Sequence, residues 1–313
     1  MSDRSRNLFT YETLVHAMAG AAGSVVAMGT FYPLDTVRAR LQLEDTREAK
    51  NTLSVLRELV AEEGFCTLYR GMVPVLESLC ASNFVYFYTF HGLKGTKVHP
   101  VQHSAVRDLL LGSVAGVVNV LLTTPLWVVN TRLKMKGVQP KKTHESNGVE
   151  YTGLIDGLMR VARSEGVGSL WSGTLPSLLL VVNPALQFMV YESLKRHMRA
   201  VYGPTETSGW IYFLMGAVAK AVATILTYPL QIVQTKLRHG HNFKDLTSDA
   251  GMIEMTSYLL RKHGVGGLFK GMESKLLQTV LTAALMFATY EKIAAFVFKL
   301  MLSHQQTVIK RNH

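Results

Sequence analysis

Polar side chains recur at spacings of four and three along one segment of the sequence, where they could bind an anion. The set comprises Lys220, Thr224, Thr227, Gln231, Gln234 and Arg238. On a helix these positions share one face. Such a face is costly against lipid and usually lines a water-filled interior. The pattern therefore predicts a cavity in which Lys220 could meet a phosphate or a carboxylate.

Six mainly apolar segments are long enough to carry such a face across a bilayer as helices. Three contain no charge, one contains Glu77, one contains Lys220, and the last contains Glu291 and Lys292 near its end. The six segments are 13–34, 71–93, 109–131, 166–191, 207–235 and 276–298. The sequence therefore predicts six membrane-spanning helices. The start resembles neither a secretory signal nor an Arg-rich presequence, so we expect internal targeting signals.

Composition and missing motifs exclude several other classes of protein. The 313 residues are 48% hydrophobic and 18% charged, with a formal net charge of +11, which argues against disorder. Two cysteines are too few for a disulfide framework. The sequence has no phosphate loop, dinucleotide fingerprint or nucleophile elbow, so a pump driven by ATP or a hydrolase is not expected. No bound metal, enzymatic activity or nucleic-acid partner is expected either.

The same phrases recur three times along the chain. A Pro-Leu pair closes the first long span of each unit at Pro33, Pro125 and Pro229. An aromatic-X-Gly element follows, at a fixed offset from an earlier glycine, and a short amphipathic stretch precedes it. The predicted units are 12–98, 104–200 and 207–300, which together form one transmembrane domain.

The segment from Pro33 to Arg38 resembles the signature of the mitochondrial carrier family, in which a proline is followed two residues later by an acid and five residues later by a base. The resemblance covers the whole chain. It implies an all-α membrane protein with six transmembrane helices in three pseudo-threefold repeats, short surface helices, and alternating access around one central site. Segments 82–86, 124–130 and 276–282 are similar to peroxisomal members of this family, whose animal form carries coenzyme A, FAD, NAD and adenine nucleotides.

The resemblance also implies a gate at the signature end, where the acid of each signature pairs with the base of the next. Carried over, Asp35 would face Asn130, Trp127 would face Gln234, and Gln231 would face Arg38. Gln42 matches the position that braces such a pair. No full ion pair survives in this set, so we expect a weak inner gate held by charge-assisted hydrogen bonds.

A second gate is implied at the opposite, cytosolic end. There Lys94 would meet Glu192, and Lys195 would meet Glu291. This gate keeps more charge and is expected to be the stronger of the two.

Substrate contacts in the family lie about two turns into the even-numbered spans. Counted from the repeated glycines, the resemblance places them here at Ser78, Leu179, Leu180, Gln278 and Thr279. Asn183 and Gln187 share a helical face with Leu180, Lys275 shares one with Gln278, and Lys220 joins the set from the polar face of the span 207–235. The lysines could hold phosphates while Leu179 and Leu180 offer an apolar wall to an adenine ring. The same residue types could equally bind a substrate whose anionic group is a carboxylate. Glu77 could instead compensate a lysine, and Lys275 could form a structural pair with Glu273.

The leading hypothesis is a peroxisomal secondary transporter, acting as an antiporter, whose cargo is coenzyme A, FAD, NAD, AMP, ADP and related adenine nucleotides. No resident cofactor is expected. Expected partners are these nucleotide-like molecules and membrane lipid, with peroxisomal import factors as a further candidate near Lys141. Two alternatives remain open: a mitochondrial inner-membrane carrier of another anionic metabolite, and a non-transporting membrane scaffold.

Overall fold

The computed structural model describes residues 11–44, 51–95, 105–135, 153–203, 209–240 and 251–285. Within these ranges every regular element is helical. The helices are α1 (Tyr11–Leu43), α2 (Thr52–Glu63), α3 (Met72–Gly95), α4 (Ala105–Lys134), α5 (Leu154–Ser164), α6 (Thr174–Leu179), α7 (Asn183–Tyr202), α8 (Gly209–His239), α9 (Met252–Gly267) and α10 (272–285).

The chain divides into two compact units. The larger unit is Pro33–Leu276 and the smaller comprises Met1–Tyr32 with Leu277–His313. The larger unit contains the signature ends of α1, α4 and α8 and all three surface helices. The predicted boundaries of the three sequence repeats lie partly outside the described residues and stay predictions.

Three described stretches are long and apolar enough to cross a membrane: Arg107–Lys134, Val167–Val201 and Trp210–His239. They cover the predicted spans of the second repeat and the first predicted span of the third. The predicted spans 13–34 and 71–93 correspond to α1 and α3, which have 33 and 24 residues. Even the shorter is about 36 Å long, more than a hydrocarbon core of about 30 Å. The sixth predicted span continues beyond the described residues.

Each signature helix packs against the surface helix that follows it, and the three apolar clusters use the same positions. In every repeat the residues four and eight positions after the signature proline are buried, together with a leucine four positions after the first repeated glycine. The corresponding sets are Val37, Leu41 and Leu68; Val129, Leu133 and Leu170; and Val233, Leu237 and Leu268. Burial of this apolar surface is what attaches α2, α5 and α9 to the signature helices.

The repeated glycines stand at turns that favour glycine. Gly64, Gly166 and Gly264 have φ of 85°, 89° and 64°, and the second glycine of each element also has positive φ. Side chains other than glycine rarely adopt this left-handed region. The fixed spacing of the glycines in sequence therefore reports a fixed turn geometry between each surface helix and the next span.

The second span of the second repeat differs from the unbroken helix predicted over 166–191. Val167–Trp171 is a 3₁₀ turn, α6 begins at Thr174, and the stretch Leu180–Val182 is again 3₁₀ before α7. Pro184 explains the second interruption, because it has no N–H to offer the carbonyl of Leu180. That carbonyl accepts instead from the backbone N–H of Asn183.

Candidate transport site and gates

An ion pair joins α1 to α4 at the signature end. The carboxylate of Asp35 accepts from Nζ of Lys134 and lies 3.1 Å from Nη2 of Arg38. The side chain of Asp35 is 6% exposed, so water screens this cluster only weakly. The prediction that no full ion pair closes the inner gate is therefore wrong.

Asn130 does not take the role predicted for it. The residue is buried, and both polar atoms of its side chain lack a hydrogen-bond partner among the described residues. Lys134 lies one helical turn further along the same face. Its longer, charged side chain reaches the Asp35 carboxylate, so the expected contact between Asp35 and Asn130 is replaced.

The glutamines of the third signature bond to neighbours other than those predicted. Gln231 donates through Nε2 to Oγ1 of Thr227 at 3.1 Å, not to a group on Arg38. Gln234 donates to Oγ of Ser177 at 2.7 Å, whereas the prediction placed it against Trp127. Ser177 lies on α6, so this bond links α8 to the second span of the preceding repeat.

Gln42 braces a different partner from the one expected. Its Nε2 donates to the hydroxyl of Tyr228 at 3.0 Å. That hydroxyl in turn donates to the backbone carbonyl of Lys270, also at 3.0 Å. Gln42 thus connects the first repeat to the third through a buried tyrosine, not through a gate pair.

Two further ion pairs, which were not predicted, link signature helices to the C-terminal ends of the surface helices. Arg40 lies 2.9 Å from Glu63, and Arg132 forms a bidentate pair with Glu165. Both arginines stand seven residues after a signature proline, and both acids stand just before the first repeated glycine. This shared spacing was the signal that could have revealed the pairs.

The indole of Trp171, which was not predicted to have this role, supplies a hydrogen-bond donor at the kink in α4. Pro125 has no N–H, which frees the carbonyl of Leu121 four residues earlier. Nε1 of Trp171 donates to that carbonyl at 2.9 Å. Leu121 is 44% exposed, so on a membrane-spanning helix its carbonyl would otherwise face hydrocarbon without a donor.

At the predicted cytosolic gate, the charged groups bond to other partners. Nζ of Lys94 lies 3.2 Å from the Asp108 carboxylate on α4, and Lys195 lies 3.8 Å from Glu192 within α7. The expected contact between Lys94 and Glu192 is therefore replaced in this structure. Glu291, the predicted partner of Lys195, lies outside the described residues.

The predicted substrate contacts on the even spans have different surroundings. Ser78 is fully buried, and its Oγ has no hydrogen-bond partner among the described residues. Asn183 donates to Oγ1 of Thr227 at 3.1 Å. Leu180 begins the 3₁₀ interruption, and such interruptions inside helices often mark functional positions.

The remaining predicted contacts differ in exposure and in the unit to which they belong. Leu179 is 44% exposed, while Gln187, Lys220 and Lys275 are partly buried. Gln278 and Thr279 belong to the smaller unit, so the predicted set is divided between the two units. Their roles as substrate contacts stay predictions.

Comparison with known proteins gives matches along nearly the whole chain. A family model described as mitochondrial carrier protein matches residues 9–99, 101–201 and 205–300. Peroxisomal membrane protein PMP34 of Mus musculus is 50% identical over 94% of this chain and 97% of its own length. Two proteins of Arabidopsis thaliana are similar at lower identity: the peroxisomal nicotinamide adenine dinucleotide carrier, 31% identical over 94% of this chain and 98% of its own, and peroxisomal adenine nucleotide carrier 1, 30% identical over 96% of each.

Proposed function

Because this chain belongs to the mitochondrial carrier family, we propose that it is a secondary transporter of nucleotide-containing cofactors in the peroxisomal membrane. The observation that carries the proposal is similarity over nearly the full length to peroxisomal relatives, two of which are named as carriers of a dinucleotide or of adenine nucleotides. Coenzyme A, FAD, NAD, AMP and ADP are then cargo and not resident cofactors.

The charges of the signature helices support an anionic cargo. Where the first signature has an acid, the second and third have Trp127 and Gln231. Lys220 and Lys275 add two partly buried ammonium groups. Phosphate groups are suitable partners for such cations because charge-assisted hydrogen bonds are stronger than neutral ones.

The ion pair between Asp35 and Lys134 supplies a gate for alternating access. It holds α1 and α4 together at the signature end, so passage of cargo at that end requires the pair to separate. A bound cargo drives this change only if it interacts better with the open arrangement than with the closed one. No covalent step is needed.

Uptake by reconstituted liposomes tests the proposal. The purified full chain is inserted into liposomes that are empty or preloaded with ADP, and entry of labelled NAD, ADP, AMP, FAD and coenzyme A is followed. We expect uptake that preloading accelerates, as an antiporter requires. Absence of uptake of every adenine-containing compound by correctly folded protein would reject the function in favour of a scaffold.

A charge variant in the predicted cavity and a matched control sharpen the test. Lys220→Gln removes an ammonium group from the polar face of α8 and is expected to slow uptake at least tenfold. Arg57→Gln removes one positive charge from an exposed position on α2 and is expected to leave uptake unchanged. Equal losses in the two variants would mean that net charge, not the cavity, controls the rate.

Localisation of the full chain in cells distinguishes the two membranes. We expect the chain to colocalise with a peroxisomal membrane marker. Colocalisation with a mitochondrial inner-membrane marker would instead favour the alternative of a carrier for another anionic metabolite.

A further inference from the structure

A groove with a volume of about 330 Å³ opens along one flank of α7, near the C-terminal end of this helix. The described residues that line it are Met189, Val190, Ser193, Leu194 and His197. Their spacing places them on one flank of the helix. Met189 is 62% exposed, and Ser193 and His197 are exposed as well, so the groove is open to the surroundings of the protein.

The groove changes from apolar to polar toward the end of α7. Its apolar wall comprises Met189, Val190 and Leu194. Its polar rim comprises Ser193, His197 and Arg196, the last of which is exposed one turn after Ser193. About 12 Å along the helix axis separate Met189 from His197. When the rim lies at the membrane surface, the wall therefore reaches into the hydrocarbon layer.

Positive charge predominates at the polar rim. Nε of Arg196 donates to the backbone carbonyl of Glu192 at 3.3 Å, which orients the guanidinium and leaves its Nη groups for another acceptor. The carboxylate of Glu192 lies 3.8 Å from Nζ of Lys195, so the acid nearest to Arg196 in the sequence contacts a different cation. The rim thus presents a guanidinium, an imidazole and a hydroxyl group.

The polar rim is specific to the second repeat. Tyr191 on α7 corresponds to Phe90 in the first repeat and to Tyr290 in the third. The positions five and six residues later hold Arg196 and His197 in the second repeat, Gly95 and Thr96 in the first, and Ala295 and Phe296 in the third. The repeated fold therefore does not require cations at these positions. A flank that is apolar along its length and cationic at its end is complementary to an anionic phospholipid.

We propose that this groove binds an anionic phospholipid of the surrounding membrane, with an acyl chain along the apolar wall and the headgroup phosphate at the polar rim. Arginine forms bidentate hydrogen bonds with phosphate oxygens, and cations beside a membrane are attracted to anionic headgroups. A soluble phosphate compound would leave the apolar wall uncovered, which favours a lipid. The inference goes beyond the proposed function, because it assigns a lipid site on a flank of α7 and not a contact with the cargo.

The lipid binds to the helix that carries two residues of the predicted cytosolic gate. Glu192 and Lys195 both lie on α7, within the stretch that the groove follows. A lipid held at the polar rim anchors this end of α7 at the membrane surface. The positions of the two gate side chains then depend on the lipid as well as on the protein.

Native mass spectrometry of the detergent-solubilised full chain tests the site. Phosphatidylserine or phosphatidylcholine with identical acyl chains is titrated into the protein, and the dissociation constant of each bound lipid is measured. We expect phosphatidylserine to bind about fivefold more tightly than phosphatidylcholine, which is the contribution of one cation near an anionic headgroup. Glycerophosphoserine, which has the headgroup but no acyl chain, should not compete.

Variants of α7 separate the polar rim from the apolar wall. Arg196→Gln should abolish the preference for phosphatidylserine, whereas Arg196→Lys keeps the charge and should retain most of it, which guards against misfolding as the cause of the loss. Arg199→Gln is the matched control, because it removes a charge from an exposed position at the same end of α7 but on the opposite flank from His197. It should leave the preference unchanged. Met189→Ser should weaken the binding of both lipids alike.

A phosphatidylserine with a photoreactive group in its acyl chain locates the site in liposomes that contain the full chain. Crosslinks to residues 189–194 should form and should decrease in the Arg196→Gln variant. Equal binding of the two lipids by the unaltered chain would overturn the proposal. Equal losses in Arg196→Gln and Arg199→Gln, or crosslinks that Arg196→Gln does not change, would overturn it as well, since they would indicate a general attraction of positive charge to the membrane.

Discussion

The second and third repeats attach their surface helices to the signature helices through matching apolar positions but different polar contacts. In the second repeat Arg132 forms a bidentate ion pair with Glu165. The matching positions of the third repeat hold Lys236 and His263, so no carboxylate stands there. The comparison separates what the fold requires, an apolar cluster, from what varies, the polar contact beside it.

The aromatic residue of each repeated element also differs in what it does. Trp171 donates to the carbonyl freed by Pro125 in α4. Phe269, at the matching position, has no N–H and stacks on Tyr228 with ring centroids 6.4 Å apart. The second repeat thus uses an indole hydrogen bond and an ion pair at the positions where the third repeat has the aromatic packing of Phe269 on Tyr228 and no carboxylate. We expect polar substitutions to be costly in the second repeat and mild in the third.

Of the four substitutions predicted below, Glu165→Ala should lower the stability of the fold most. It leaves the guanidinium of Arg132, whose side chain is 6% exposed, without its carboxylate, at a cost of about 3 kcal/mol. The midpoint of thermal unfolding of the purified protein should fall by several degrees. His263→Ala, the matched change in the third repeat, should lower it much less; equal losses would mean that the ion pair does not distinguish the two repeats.

Gly157→Ala should have the next largest effect. A Cβ at this position would overlap Cγ1 of Val129, so either the Val129 side chain or α5 must shift. Overpacking of this kind costs about 2 kcal/mol. The unfolding midpoint should fall, and Val129→Ala in the same chain should restore part of the loss. Gly153→Ala, at a position with open space around it, is the control; a similar loss there would point to a general intolerance of substitution on α5.

The recurring spacing of residues carries a signal for the apolar clusters and the turns, because both depend on positions that repeat from unit to unit. Val129 and Val233 each stand four residues after a signature proline, Leu170 and Leu268 each stand four residues after the first repeated glycine, and the structure repeats the contacts among them. The close approach of Gly157 to Val129 was not predictable, since Met255 takes the same position in the third repeat. A helix can approach as closely as its smallest contact residue allows, and the sequence alone does not show which residue that is.

The partners of the gate residues were harder to predict than the fold. Asn130 and Lys134 share a face one turn apart, and helical periodicity does not determine which of two such side chains reaches Asp35. In the structure Lys134 contacts Asp35, because its side chain is longer than that of Asn130 and carries a positive charge. For Trp171, the absent N–H of Pro125 predicts a carbonyl in need of a donor, but only tertiary structure identifies the donor.

Trp171→Phe should have a smaller effect than the two changes above, and it makes the second repeat resemble the third at this position. The carbonyl of Leu121 loses its indole donor while most of the aromatic surface remains, so the expected loss is about 1 kcal/mol. Hydrogen exchange of the α4 backbone near Pro125 should become faster. Phe269→Leu is the matched change in α8's repeat and should leave exchange in α4 unaltered; faster exchange there would indicate a general loosening, not a lost donor.

His263→Glu should change the stability of the fold least of the four substitutions, and it should raise the stability. The reason is that it introduces into the third repeat the acid that the other two repeats possess. The carboxylate would stand at the position that in the second repeat meets Arg132, and its expected partner is Lys236, which is 3% exposed. Lysine cannot form the bidentate pair that arginine forms, and the cost of desolvating two buried charges offsets much of their attraction. The unfolding midpoint should therefore rise slightly, and this gain should vanish when Lys236 is also changed to Gln. If the gain persists without Lys236, the introduced acid stabilises α9 by another route, and the correspondence between the repeats does not extend to this ion pair.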